Sequence, residues 1–175
     1  MTKRLYSLLL SAGLAYTANA QTSFNNGGGD LLFSTASNWS SGAPSVGGGV
    51  ATIGDLGDFA VDFTGVSLGD LEISVVGNSS LTSTTQTPSL DGLTLNLSGN
   101  ALFNGDRLST SFVANVSEGA TLDADDRFAG GAVVNMSGGD IIARTIRGGD
   151  FNLTGGLLTL ENTRGCLQIT PASRQ

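Results

Sequence analysis

The chain has 175 residues, the size of one ordinary domain, with eight Lys and Arg against fifteen Asp and Glu and no histidine. The acidic balance excludes capture of nucleic acid or anionic lipid by charge. The missing histidine excludes Ser-His-Asp and Cys-His catalysis, histidine metal sites and the usual general base near neutral pH, and a lone cysteine, Cys166, allows no intrachain disulfide.

Residues 1–20 have the layout of a secretory signal peptide. Lys3 and Arg4 precede a short apolar run from Leu5 to Leu14, and Ala18-Asn19-Ala20 is a small-x-small cleavage site that leaves Gln21 at the mature end. The apolar run is shorter than the roughly 20 residues that cross a bilayer, so no membrane span is expected after cleavage. Without Lys3 and Arg4 the chain carries six basic and fifteen acidic residues, a net charge of −9. An exported chain without disulfides suits a bacterium, secreted or on the outer cell surface.

Residues 21–30 are Asn/Gly-rich and are expected to form a flexible N-terminal segment ahead of a repeat domain over 31–162. Leu31-Leu32-Phe33 reads as a first strand. Trp39, the one tryptophan, is expected to cap the N-terminal end of a core. Val50–Ile53 and Phe59–Phe63 read as short strands separated by a Gly/Asp turn, and Val66–Leu68 and Leu71–Val75 alternate in the same way. Residues 79–89, rich in Ser and Thr, are expected to be an excursion between rungs.

A degenerate repeat then becomes regular. Leu95-Asn96-Leu97-Ser98, Ala114-Asn115-Val116-Ser117, Val134-Asn135-Met136-Ser137 and Phe151-Asn152-Leu153-Thr154 share one pattern, each followed by Gly within two residues. The asparagines are spaced by 19, 20 and 17 residues. A second apolar stretch follows each Gly turn, at Ala101–Phe103, Thr121-Leu122, Ile141-Ile142 and Leu157–Leu160. Each repeat therefore supplies two short strands with a corner between them. The expected fold is all-β: a right-handed parallel β-helix, or solenoid, with coils of about 20 residues. A leucine-rich repeat shares the period but needs an L-x-x-L-x-L-x-x-N framework that is absent.

Strand alternation fixes the faces. Leu95 and Leu97 point inward, Asn96 and Ser98 outward, and likewise in the later copies. Stacking would superimpose the four asparagines into a ladder of hydrogen-bonded amides. Six N-x-Ser/Thr sequons occur, at Asn38, Asn78, Asn96, Asn115, Asn135 and Asn152. Four of them lie in the repeat, where the ladder already accounts for them and glycans on successive coils would collide. After Asn162 the pattern stops. Residues 163–175 are expected to be an irregular tail or a truncated last coil, with Thr163–Ile169 able to make one more strand, in a solenoid that is incomplete or oligomeric.

The stretch Asn38-Trp39-Ser40, Gly42, Pro44, then Val50–Gly54, Ala60-Val61-Asp62 and Leu68–Ile73 resembles the opening of bacterial exported β-strand-repeat surface proteins, both autotransporter-like and PEP-CTERM-type. The resemblance covers roughly residues 31–160. It implies structural or adhesive use at a cell surface. The Pro-Glu-Pro signal and basic tail of the sorted members are not among these residues, so the mode of anchoring is left open.

No P-loop and no dinucleotide-binding glycine motif is present. Asp123, Asp125 and Asp126 cluster beside Arg127. Such oxygens suit calcium, and acid with arginine on a β-helix resembles the arrangement of Ca-dependent polysaccharide lyases, which implies a lyase or hydrolase as an alternative. The plainer reading is a solvated turn. Gly139-Asp140 and Gly149-Asp150 read as turns, because the nine-residue calcium repeat is missing. Arg144 and Arg147 are expected to pair with acids on neighbouring coils. No catalytic, cofactor-binding or metal residue is assigned and no cofactor is expected. The expected function is a non-catalytic structural or adhesive module whose partners are extracellular glycans or other copies of itself, with a glycan-binding module and the lyase or hydrolase as alternatives.

Overall fold

In a computed structural model, residues 21–45, 47–86 and 89–161 are described. The expected signal peptide, 1–20, and the expected tail, 163–175, lie outside the described residues. Short alternating segments joined by glycine turns wind into a β-solenoid of about five turns, roughly 20 residues apart. The first strand, β1 (Gln21–Ser23), precedes a 3-10 turn at Ala36–Asn38. Pairs of strands then follow in order: β2 (Val50–Ile53) and β3 (Ala60–Asp62), β4 (Glu72–Val76) and β5 (Ser80–Thr82), β6 (Thr94–Ser98) and β7 (Leu102–Leu108). They continue with β8 (Val113–Val116) and β9 (Thr121–Phe128), β10 (Val133–Met136) and β11 (Asp140–Ile146), β12 (Asp150–Leu153) and β13 (Leu157–Leu160).

The first member of each pair joins one parallel sheet, ordered β1-β2-β4-β6-β8-β10-β12. The second joins another, ordered β13-β11-β9-β7-β5-β3. Each coil thus gives one strand to each sheet, and backbone hydrogen bonds run from coil to coil. The register is the one the repeat requires: Ser74, Asn96, Asn115, Asn135 and Asn152 stand in one row.

Alternation builds the core. In the first sheet Ala51, Ile73, Leu95, Ala114 and Val134 form one inward column, all with no exposed surface. In the second, Val61, Leu81, Phe103, Leu122 and Ile141 do the same. Phe63 stacks on Phe103 with ring centroids 5.4 Å apart, and Phe128 meets Phe151 edge-to-face at 5.5 Å. Burying a Leu, Ile or Phe side chain contributes about 1.5–3 kcal/mol, and here each coil adds several such residues.

The corner between the two sheets is a column of glycines. Gly119 and Gly139 have φ of +82° and +76°, and a Cβ at either would strike a backbone carbonyl of the preceding coil, that of Gly99 or of Ala120. Only glycine satisfies both the left-handed backbone and the approach of the next coil.

The N-terminal end departs from expectation. Residues 21–30 begin as a strand, with Gln21–Ser23 paired to Val50–Thr52 and Thr22 and Phe24 buried. The cause is the pairing of small polar residues along β2, which composition alone conceals. Leu31-Leu32-Phe33 makes only a single bridge, Leu32 to Asp62, because Leu31 takes a left-handed conformation at φ +58°. Phe33 is nonetheless buried. It meets Trp39 at 4.9 Å, Phe24 meets the other side at 5.1 Å, and Trp39 Nε1 donates to the Phe33 carbonyl at 2.7 Å. Trp39 is 3% exposed and closes this end of the core, as expected.

Two further differences concern strands. Val66-Ser67-Leu68 is not a strand; Leu68 turns inward from a loop. Within the expected excursion at 79–89, Ser80-Leu81-Thr82 is strand β5, carried by one buried leucine and its pairing with β3 and β7. One apolar residue between two hydroxyl residues is too weak a pattern to read alone.

Candidate functional site: the two outer faces

The outer face of the first sheet carries the asparagine ladder. Asn115 Nδ2 donates to Asn96 Oδ1 at 2.8 Å, Asn135 to Asn115 at 2.9 Å and Asn152 to Asn135 at 2.9 Å. All the amides point the same way. At the N-terminal end Asn96 donates to Glu72 Oε1 at 3.4 Å, so the row ends on a carboxylate. Each bond contributes about 0.5–1.5 kcal/mol net. A shorter row at the glycine corner repeats the device, with Asn100 donating to Asn78 at 2.7 Å.

Beside the ladder lies a groove of about 510 Å³ that crosses five coils, from Ser74 to Thr154. One wall is the asparagine row. The other is the row two residues further along each strand, Val76, Ser98, Ser117, Ser137 and Thr154. Leu97, Val116 and Met136, each 2% exposed, underlie it with side chains that turn into the core. No charged residue lines it. Ser117 and Thr154 donate to the carbonyls of Leu97 and Met136 on the preceding coil, which fixes their hydroxyls in the wall. An internal ladder asparagine uses one amide hydrogen and one acceptor lone pair, keeping a second hydrogen and a second lone pair for a ligand.

The second sheet's outer face holds the acidic cluster. Strand β9 carries an extra residue where Ala124 pairs with Gly105 and Arg127 with Arg107, and the bulge sets Asp125 and Asp126 side by side. Asn104 Nδ2 donates to Asp123 Oδ2 at 3.3 Å and to Asp125 Oδ1 at 3.4 Å. Arg107 donates to Asp126 Oδ2 through Nε at 3.3 Å and Nη2 at 3.2 Å, while Arg127 Nε stands 3.8 Å from that oxygen. Burial, with the charges of Asp125 and Glu161, raises the Asp123 carboxyl above its ordinary value against the hydrogen bond from Asn104. The carboxylates are thus met by Asn104 and Arg107. Among the described residues no three acidic or cysteine side chains converge as a metal site.

The arginines and aspartates further along the chain take other places. Arg144 and Arg147 make neither of the two ion pairs seen among the described residues, because both of those use Asp126. Asp140 and Asp150 open strands β11 and β12 rather than sitting in turns. Near the N-terminal cap, Asn38 is fully buried. Its Nδ2 donates to Asp30 Oδ1 at 2.6 Å and to the Leu32 carbonyl at 2.9 Å, and its Oδ1 accepts from Gly28 N–H at 2.8 Å. This sequon is therefore a structural clamp. Hydrogen bonds from Thr35, Leu32 and Asn38 lower the Asp30 carboxyl. Two partners escaped the sequence, Glu72 at the ladder's end and Asn104 beside the acids. Both lie at outward positions of strands, and their spacing from the repeat was the available signal.

The fold defines a parallel β-solenoid. No protein-family model matches the chain, and no curated protein or solved structure matches it.

Proposed function

We propose that the chain is an exported structural or adhesive surface module that acts through its outer polar face, without catalysis. The observation that carries this reading is an uncharged groove over five coils with an asparagine ladder over four of them. A surface of identical groups repeated along a rigid axis suits contact with another repetitive surface. Beads coated with the full chain should be retained under flow on polysaccharide-coated or cell-derived surfaces, above beads coated with an unrelated acidic protein. Equal retention would overturn the adhesive reading.

A second reading has one observation in its favour. Asp123, Asp125 and Asp126 crowd beside Arg107 and Arg127 on one outer face, and burial raises the Asp123 carboxyl above its ordinary value. A Ca-dependent polysaccharide lyase or hydrolase would use this face. Turnover of a uronate polymer with and without calcium tests it, and activity that Asp125→Ala abolishes would displace the non-catalytic reading.

A further inference from the structure

We propose that the groove along the asparagine ladder is a binding site for an extended, uncharged β-linked glycan, laid parallel to the solenoid axis with about one sugar per coil; this rests on the adhesive reading and names its ligand class.

The first argument is period. Five strands cross the groove, and parallel neighbours lie about 4.8 Å apart, so the walls repeat over roughly 19 Å. An extended β-linked sugar chain advances by nearly the same step per residue. Four of the five coils then meet a sugar with the same pair of groups, a ladder amide and a wall hydroxyl, and the first offers Ser74 and Val76. The ladder holds those amides in place, so little side-chain entropy is lost on binding.

The second argument is chemistry. Sugar hydroxyls both donate and accept, and the free hydrogen and lone pair of Asn115 and Asn135 offer both. Rival polymers fit less well. Nucleic acids and uronates are anionic, whereas no cationic side chain lines the groove, Glu72 stands at its N-terminal end, and the chain is net negative. An extended peptide adds to a free sheet edge, but the groove lies on a sheet face, where the backbone is already paired coil to coil.

The test uses the full chain with cellohexaose and chitohexaose, titrated by calorimetry beside their dimers and beside hexagalacturonate. The hexamers of at least one neutral series should bind, about tenfold or more tightly than the dimer, and hexagalacturonate should not. Ser137→Trp fills the groove from an exposed position whose hydroxyl makes no hydrogen bond seen here. It should weaken hexamer binding by about tenfold or more while the circular dichroism spectrum and Tm stay unchanged. Ser98→Trp tests the same wall two coils away and serves if the first variant folds poorly. Absence of neutral-hexamer binding at millimolar concentration, tighter binding of the uronate, or binding indifferent to both tryptophans would overturn the proposal. If coated beads adhere and Ser137→Trp beads adhere equally, adhesion stands and the groove site falls. If the chain binds hexamer through the groove but beads adhere to nothing, the site stands and adhesion falls.

Discussion

Asn135 donates to Asn115 at 2.9 Å across 20 residues of sequence, and Asn115 donates in turn to Asn96 at 2.8 Å. Asn115 therefore serves two neighbours at once, whereas the outermost member, Asn152, is seen to serve one. Asn115→Ala should cost about 1–3 kcal/mol, two hydrogen bonds' worth, and Asn152→Ala about 0.5–1.5 kcal/mol. Urea midpoints at constant m-value would read the difference. Equal costs would mean that the amides contribute nothing as a row.

Glycine at the corner should be replaceable only where space is open. Gly57 has φ +70° with nothing near a built Cβ, whereas Gly119, at φ +82°, faces the Gly99 carbonyl. Gly57→Ala should cost about 1–2 kcal/mol for the left-handed backbone alone. Gly119→Ala should cost clearly more, because the coils must also separate. Thermal melts of the pair decide it.

The cap predicts an asymmetry between packing and hydrogen bonding. Trp39→Phe keeps most of the ring but leaves the Phe33 carbonyl without its partner, a loss of about 1–3 kcal/mol. Trp39→Ala opens a cavity between Phe24 and Phe33 and should cost about 3–5 kcal/mol. Chemical denaturation of both variants would separate the two contributions.

Two carboxyls give opposite pH signatures. Asp30 is lowered below its ordinary 3.8 in the folded chain, so its stabilisation is present above that value and lost as pH falls through the folded pKa. Asp123 is raised, so its charge costs stability above the folded pKa, and the cost disappears as pH falls toward about 3.8. Asp123→Asn, which keeps an oxygen for Asn104, should raise Tm at pH 7 and have no effect near pH 3.8. Asp30→Asn should lower Tm at pH 7 and converge with the parent chain in acid. A Tm series across pH distinguishes these from simple packing effects, which would not change with pH.

The repeat made much of this legible. Apolar–Asn–apolar–Ser/Thr with a glycine beyond it requires a strand, two faces and a corner, and stacking one copy on the next places Asn96, Asn115, Asn135 and Asn152 in a row. The periphery was less legible because its signals are not periodic. Gln21–Ser23 forms a strand through its pairing with β2, without an apolar pattern of its own, and Ser80–Thr82 carries a single leucine. The bulge in β9 is invisible as composition: Asp125 and Asp126 read as a turn, yet both belong to a strand with one residue too many. The groove is a property of two rows together, so no single copy of the repeat announces it.

The glycine corner also bears on how such a chain can change in length. Gly119 and Gly139 close successive coils with nearly the same φ, and the row of asparagines joins four successive coils with the same donor and acceptor. One coil is therefore interchangeable with the next at its boundaries. Removing one whole period, such as residues 116–135, rejoins an equivalent corner to the same row, and duplicating it does the same. Molecular length is counted in whole coils, and the outer face lengthens or shortens with it as a ruler gains or loses a graduation.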